Sequence, residues 1–215
     1  IQLGAIASVV VLYWKKFFNF KNSAFYVKLI VAVLPALVLG YLFADKIDAL
    51  LESPTTVAIS TLVGGVILVL VDHLFNKPII QQEKEISIAN AFIIGFWQVI
   101  AMIPGVSRSA ASIVGGMQQK LDRSVAAEFS FFLAVPTMLA ATGYKLFKHY
   151  KETGGFTSEE IKLLSIGNLV AFVVAMLAIK FFIGFVKKYG FKIWGVYRIV
   201  LGIILLILLW KGILK

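Results

Sequence analysis

The residues with the most chemistry to offer are gathered in nine positions, Pro104 to Ser112, which read PGVSRSAAS. Arg108 lies between Ser107 and Ser109, and a third serine, Ser112, follows four positions after the arginine. A guanidinium presents a planar fork of donors that matches phosphate oxygens two at a time, and serine hydroxyls add donors that rotate to suit. A helix opening just after Gly105 would aim its free backbone N–H groups at the same point, so the stretch reads as an anion site. Two serines beside an arginine also suit a phosphoserine intermediate, provided that a nearby group accepts the hydroxyl proton. The structural alternative is that Arg108 snorkels, or pairs with a carboxylate to fasten two helices.

The setting gives that arginine its weight. FIIGFWQVIAMI precedes it and IVGG follows, both membrane-like. An arginine in hydrocarbon costs roughly 2.5 kcal/mol or more, so it persists only where it is paired, faces a wet cavity or handles an anion. The whole chain is of the same kind: 60% of its 215 residues are hydrophobic and 15% charged, with a mean hydropathy of +0.92. That balance describes an integral membrane protein, read as one multi-span domain over 1–215. The net charge of +10 comes from lysines between and at the ends of the apolar runs. Such a pattern suits orientation and the headgroups of a lipid bilayer, and no nucleic-acid partner is expected. With no cysteine, disulfides, thiolate catalysis and Cys-ligated metals are out. The apolar start at Ile1 carries neither a basic leader nor a cleavage site, and reads as a chain whose natural beginning lies upstream.

Seven apolar segments organise the chain: Ile1 to Trp14, Phe25 to Phe43, Thr55 to Phe75, Ala91 to Met117, Ala126 to Phe147, Ile161 to Val186 and Ile193 to Trp210. Lipid admits only helices or closed barrels, and barrel alternation is missing, so the fold class is an all-α polytopic membrane protein. Pro104-Gly105 breaks the fourth segment and Gly115-Gly116 lies near its end. Residues 91–117 are therefore expected to form a re-entrant helix–loop–helix, beside about six transmembrane helices, rather than a Pro-kinked span. Re-entry puts Lys15, Lys16, Lys21, Lys28, Lys77, Lys84, Lys120, Arg123, Lys187, Lys188 and Lys192 on one face. The other face receives Lys46 among Asp45, Asp48 and Glu52, then Lys145, Lys148 and Lys151 countered by Glu152, Glu159 and Glu160, and finally Lys211 and Lys215. The first face is the more basic and is expected to be cytoplasmic. Trp14, Trp194 and Trp210 suit interfacial anchoring, and TSEE at Thr157 to Glu160 a capping box.

Other polar residues within the apolar runs widen the candidate set. Glu128, with Ser130 beside it, is a partner for Arg108 or a metal ligand. Gln98 is placed to hydrogen-bond a substrate or to satisfy loop backbone. Arg198 and Lys180 lie close enough to helix ends to snorkel. His73 and His149 are isolated, which gives neither a zinc site nor a Ser-His-Asp triad. GVSRS lacks the second glycine of a nucleophile elbow, and no Walker lysine motif is present.

At these residues the sequence resembles the undecaprenyl-diphosphate phosphatases, the bacitracin-resistance family of bacterial cell-wall synthesis. IQLGAIASVVVLYW, LPALVLGYLF, AFIIGFWQ, PGVSRSAASIVGGM, AAEFSFFLAVP, AIKFF and VYRIVLG occur in the family's order along nearly the whole chain. Pro-Gly-x-Ser-Arg-Ser is the specific motif. The resemblance implies hydrolysis of a C55 polyprenyl diphosphate lipid substrate to the monophosphate, with Mg²⁺ or Ca²⁺, at a site opening to the extracytoplasmic side of the bacterial inner membrane. It implies an inverted-repeat fold with two re-entrant hairpins, bacitracin competing for the substrate rather than binding the protein, and room for a homo-oligomer. Carried over by position, Arg108 grips the diphosphate, Ser107 is a nucleophile candidate or phosphate ligand, and Ser109 shapes the loop with Gly105. Ser112, Gln98 and Glu128 complete the expected substrate-binding set.

Two departures qualify that expectation. Where the family motif continues Ser-Gly-Ala-Thr, Ala110 replaces the glycine and Ser112 the threonine, which keeps the hydroxyl but removes backbone freedom. The family's glutamate-rich E/Q-x-x-x-E run, with its serines and histidine, would lie upstream of Ile1. The chain as it stands thus lacks the expected carboxylates for the metal and any evident general base, whereas the protein as a whole is expected to be an enzyme. A lipid transporter or flippase is the competing function, since broken helices around an anion loop also mark secondary transporters. A structural subunit with a buried ion pair is a third.

Overall fold

A computed structural model describes residues 1–51 and 53–214. Glu52 and Lys215, counted above on the less basic face, lie outside the described residues, as do the side chains of Asp45 and Asp48. The described residues form helices and no strand. Five helices are long and apolar enough to cross a bilayer: α3 (Ser23–Leu42), α5 (Pro54–Leu74), α8 (Arg123–Thr153), α9 (Ser158–Tyr189) and α10 (Lys192–Trp210). Five shorter ones complete the set: α1 (Gln2–Leu12), α2 (Trp14–Phe17), α4 (Ala44–Leu51), α6 (Ile88–Ile100) and α7 (Arg108–Gln118). The protein is an all-α, multi-pass membrane protein. Its first apolar run, read from sequence as a span, is the 11-residue α1, because Tyr13 leaves helical geometry before α2 begins.

The outer surface is apolar, as a lipid solvent requires. Leu163, Leu169, Val173, Val174 and Leu177 of α9 all point outward. Lipid tails are as apolar as leucine, so close backbone approach replaces hydrophobic burial as the force between helices. The α5–α10 pair shows this: Gly65 lies against the Gly195 carbonyl, Gly195 against that of Gly65, and Gly202 against the backbone of Leu62. At α9 the capping box forms as expected, with the Glu160 amide donating to Thr157 Oγ1 and the Thr157 amide to Glu160 Oε2.

What positions the serine–arginine motif is the helix pair α6 and α7. Neither reaches the roughly 20 residues of a span, and they pack on each other across a turn at 101–107. Side chains tie them together as well: Asn90 Nδ2 donates to Gln119 Oε1 at 3.2 Å and Trp97 Nε1 to Gln118 Oε1 at 2.7 Å. The chain before the pair is stitched to the chain after it, Ile80 N to Lys120 O at 3.0 Å and Asp122 N to Ile80 O at 2.8 Å. The two ends of the α6–α7 pair therefore lie beside each other. Leu121, Ile113 and Met117 anchor this end in the core, and α6 packs on α3 while α7 packs on α8.

The segment leading into α6 is pinned by charge. Lys28, 6% exposed, donates to the carbonyl oxygens of Glu83 and Lys84 at 3.1 and 3.2 Å and lies 3.5 Å from the Glu83 carboxylate, which also meets Lys16 at 3.2 Å. Removing one partner of a buried pair costs about 3–5 kcal/mol. Because two carbonyls still accept from Lys28, Glu83→Gln is expected to destabilise by about 2 kcal/mol, and Lys28→Met, which also strips both carbonyls of their donor, by more. Thermal unfolding in detergent checks this; an unchanged midpoint for Glu83→Gln would deny the cluster a structural role.

Candidate active site

Helix α7 starts where it does because Ser107 caps it. Its backbone is extended (φ −69°, ψ 122°), its Oγ accepts from the Ala110 amide at 3.3 Å and its carbonyl from the Ala111 amide at 2.9 Å. Arg108 and Ser109 then occupy the first two helical positions, where backbone N–H groups have no intrahelical acceptor. The hydroxyls of Ser107 and Ser109 stand 3.0 Å apart. Two amides, two hydroxyls and a guanidinium thus converge on one turn, at the positive end of a helix dipole. The turn before it needs Gly105, with φ at +86° and the space for a Cβ taken by the Val57 backbone of α5.

The expected site residues divide into those at the turn and those behind it. Gly105, Ser107, Arg108 and Ser109 are at the turn. Ser112 is 1% exposed, donates to the carbonyls of Arg108 and Ser109, and stands 2.7 Å from Ser130 Oγ, so it fastens α7 to α8 instead of facing a ligand. Gln98, 3% exposed, donates to Thr137 Oγ1 at 3.2 Å and ties α6 to α8. Arg108 donates to the Ser130 carbonyl at 3.2 Å and pairs with no carboxylate among the described residues. Glu128 is not brought to it. Two residues along a helix is about 200° of rotation, so the face of α8 that gives Ser130 to α7 turns Glu128 toward α1, within reach of the Tyr13 hydroxyl and near Lys16 and Glu83.

Two further residues stand differently from their sequence reading. Arg198 does not snorkel: its Nη2 donates to the Gly105 carbonyl at 2.7 Å, across 93 positions of sequence. The signal was present in the spacing, because Gly195, Arg198 and Gly202 fall at i, i+3 and i+7 and so share the face of α10 that packs on α5. Trp194 is no anchor at an interface either. It is half-buried against Phe182 and Phe185, with ring centroids 5.4 and 5.9 Å away. Trp14 and Trp210 are exposed as expected.

Apolar clefts flank the turn. One of about 410 Å³ runs between α1, α8 and α9 and has Arg108 and Ser109 among its lining residues. A second, about 270 Å³, lies between α5 and the α6–α7 pair and includes Ser107 and Arg198. Each has apolar walls with a few polar groups converging, the form that an amphiphile with an anionic head requires. A divalent cation asks for several oxygen ligands, carboxylates among them. Among the described residues no three of His, Cys, Asp and Glu come together, and the turn itself offers N–H and O–H donors around two arginines. These residues do not compose a Mg²⁺ or Ca²⁺ site.

Residues 1–204 match the family described as bacitracin resistance protein BacA. The chain belongs to the BacA family. A relative from Flavobacterium psychrophilum is 63% identical over 208 residues, covering 97% of this chain and 78% of the relative, and is named undecaprenyl-diphosphatase. Proteins of the same name from Flavobacterium johnsoniae and Bdellovibrio bacteriovorus are 58% and 50% identical, covering 97% and 99% of this chain and 78% and 80% of theirs. Within this member of the family, the Pro104-to-Ser112 motif is thus the turn at which a short helix begins between two clefts.

Proposed function

We infer that the chain hydrolyses undecaprenyl diphosphate to undecaprenyl phosphate and inorganic phosphate, returning the carrier lipid to peptidoglycan synthesis. The observation that carries this is a helix N-terminus with an arginine and two hydroxyls, set between lipid-like clefts in a chain whose relatives bear the phosphatase name. Water attacks the terminal phosphorus, the bridging P–O bond breaks, the lipid monophosphate leaves, and the protons of the water end on inorganic phosphate and solvent. Catalysis of such a transfer is mostly positioning and charge stabilisation. Arg108 takes two oxygens of the diphosphate in its fork, and the amides of Arg108 and Ser109 face the same charge. Ser107 serves as a phosphate ligand rather than the nucleophile. Its oxygen already accepts from Ala110, leaving its proton to donate to a phosphate oxygen.

Residues 91–117 are re-entrant in this reading, and the stitching of both ends of α6–α7 to one side supports it. That side carries Lys16, Lys28 and Lys84, so it is cytoplasmic by the positive-inside rule, and the turn opens toward the opposite side of a bacterial inner membrane. The test is phosphate release from undecaprenyl diphosphate by the purified protein in detergent, and in vesicles with labelled lipid in one leaflet. Release of phosphate is expected. Transfer of the lipid between leaflets with no phosphate release would replace hydrolysis with the carrier reading. Bacitracin is expected to inhibit in proportion to lipid, so raising the protein tenfold at fixed lipid leaves the inhibitory ratio of bacitracin to lipid unchanged; a ratio that follows the protein would show direct binding.

A further inference from the structure

We propose that Arg198 is the positioning residue of the phosphate turn: reaching from α10, it holds the Gly105 carbonyl so that Ser107 and Arg108 stand where a diphosphate meets them. This rests on the hydrolase reading above and adds to it a residue outside the serine–arginine motif.

Three observations carry it. The Arg198 guanidinium donates to Gly105 O at 2.7 Å, which is the polar contact that links α10 to the turn. A Cβ at position 64 would come within 2.9 Å of Arg198 Nη2, so Gly64 leaves open the slot in α5 through which the side chain passes. Arg198 and Ser107 line the same two cavities, of about 270 and 240 Å³, which puts the guanidinium beside the residue that caps α7. The arrangement is not free. Among the described residues Arg198 Nε is buried without a partner, a penalty that an arginine snorkelling to the membrane surface would avoid. A guanidinium kept at that cost inside the protein is there for what it holds.

What it holds is soft without it. Gly105 sits outside any helix with φ at +86°, a conformation glycine leaves easily because it meets so little steric resistance. The turn rests on the Val57 backbone, and the guanidinium fixes its carbonyl. Releasing that carbonyl lets the turn rotate, and the cap and fork that follow it within three residues move too.

The experiment compares turnover of undecaprenyl diphosphate by wild type, Arg198→Met, Arg198→Lys, Gly64→Ala and the Gly64→Ala/Arg198→Met double variant, with thermal unfolding of each. A misplacement near 1 Å costs about a hundredfold, so Arg198→Met is expected to lower kcat by about ten- to a hundredfold with KM changed less than about threefold. Arg198→Lys, which still presents a donor, should recover part of the loss. Gly64→Ala keeps the charge but crowds the guanidinium, and should lower kcat in the wild-type background yet do nothing further in Arg198→Met. If Arg198→Met does not fold, Arg198→Lys takes its place in that cycle. Normal kcat in Arg198→Met, a rise in KM alone, or additive losses in the double variant would overturn the proposal. Arg108→Ala, run alongside, separates the two readings: an active Arg108→Ala would sink the phosphate turn itself, whereas an inactive one beside a fully active Arg198→Met sinks only the role of Arg198.

Discussion

Arg108→Ala is expected to lower phosphate release by about a thousandfold or more while the protein still folds. The size follows from what an arginine does in phosphoryl transfer, where a single one is worth about 10³–10⁵ in kcat and a single lost donor at a developing anion about 10²–10³. The folding half of the expectation follows from its contacts. Among the described residues Arg108 has one side-chain hydrogen bond, to the Ser130 carbonyl, an oxygen placed to accept within α8 as well, and it neutralises no carboxylate whose charge would be stranded. Its removal thus leaves no buried group bare. Arg108→Lys keeps the charge but loses the planar fork, and is expected to stay well below wild type. Turnover and detergent-phase unfolding, measured together, decide the matter. Near-normal turnover in Arg108→Ala would remove the residue from the chemistry, and a collapsed melting curve would return it to the role of a helix fastener.

The site was legible in the sequence wherever local chemistry determined the outcome. A helix was expected to open just after Pro104-Gly105, and α7 does so at Arg108, capped by Ser107. Thr157 and Glu160 close the capping box for the same reason. Hydropathy located the five long helices, since lipid leaves the backbone no other choice, and misread only the first run, which Tyr13 breaks. What it does not carry is rotation about each helix axis. Glu128 and Ser130 are neighbours in sequence and face different partners, and Arg198 lies near the start of its helix yet points inward. Proximity to a helix end suggested snorkelling, whereas the glycines at 195 and 202 mark the packed face of α10. Reading that stripe, rather than depth alone, would have sent Arg198 to the turn. Ser112 and Gln98 show the converse: polar residues close to the motif whose hydrogen-bonding capacity is used up in joining helices.

Gly105→Val is expected to cost about a hundredfold or more in turnover, by a route that involves no loss of chemical groups. A residue with a Cβ pays roughly 1–2 kcal/mol at a left-handed φ, and here the Cβ would also run into the Val57 carbonyl. Val57 is held in the first turn of α5 under the Ser53 cap, where Thr56 N donates to Ser53 Oγ and Val57 N to Ser53 O, so the helix has little room to retreat. The turn must back away, and in doing so it gives up the Arg198 bond and carries Ser107 and Arg108 off their positions, a displacement for which a hundredfold is the usual scale. Position 110 supplies the control. Ala110 stands where the resembling motif has glycine, but it lies at the third position of α7, and among the described residues only Lys120 combines a side chain with positive φ. No special freedom is needed there, so Ala110→Gly should alter turnover by less than about threefold while costing about 1 kcal/mol of helix stability. Kinetics and unfolding of both variants test the contrast: a large loss in Ala110→Gly, or a fully active Gly105→Val, would mean that backbone shape at the turn is not what sets the site.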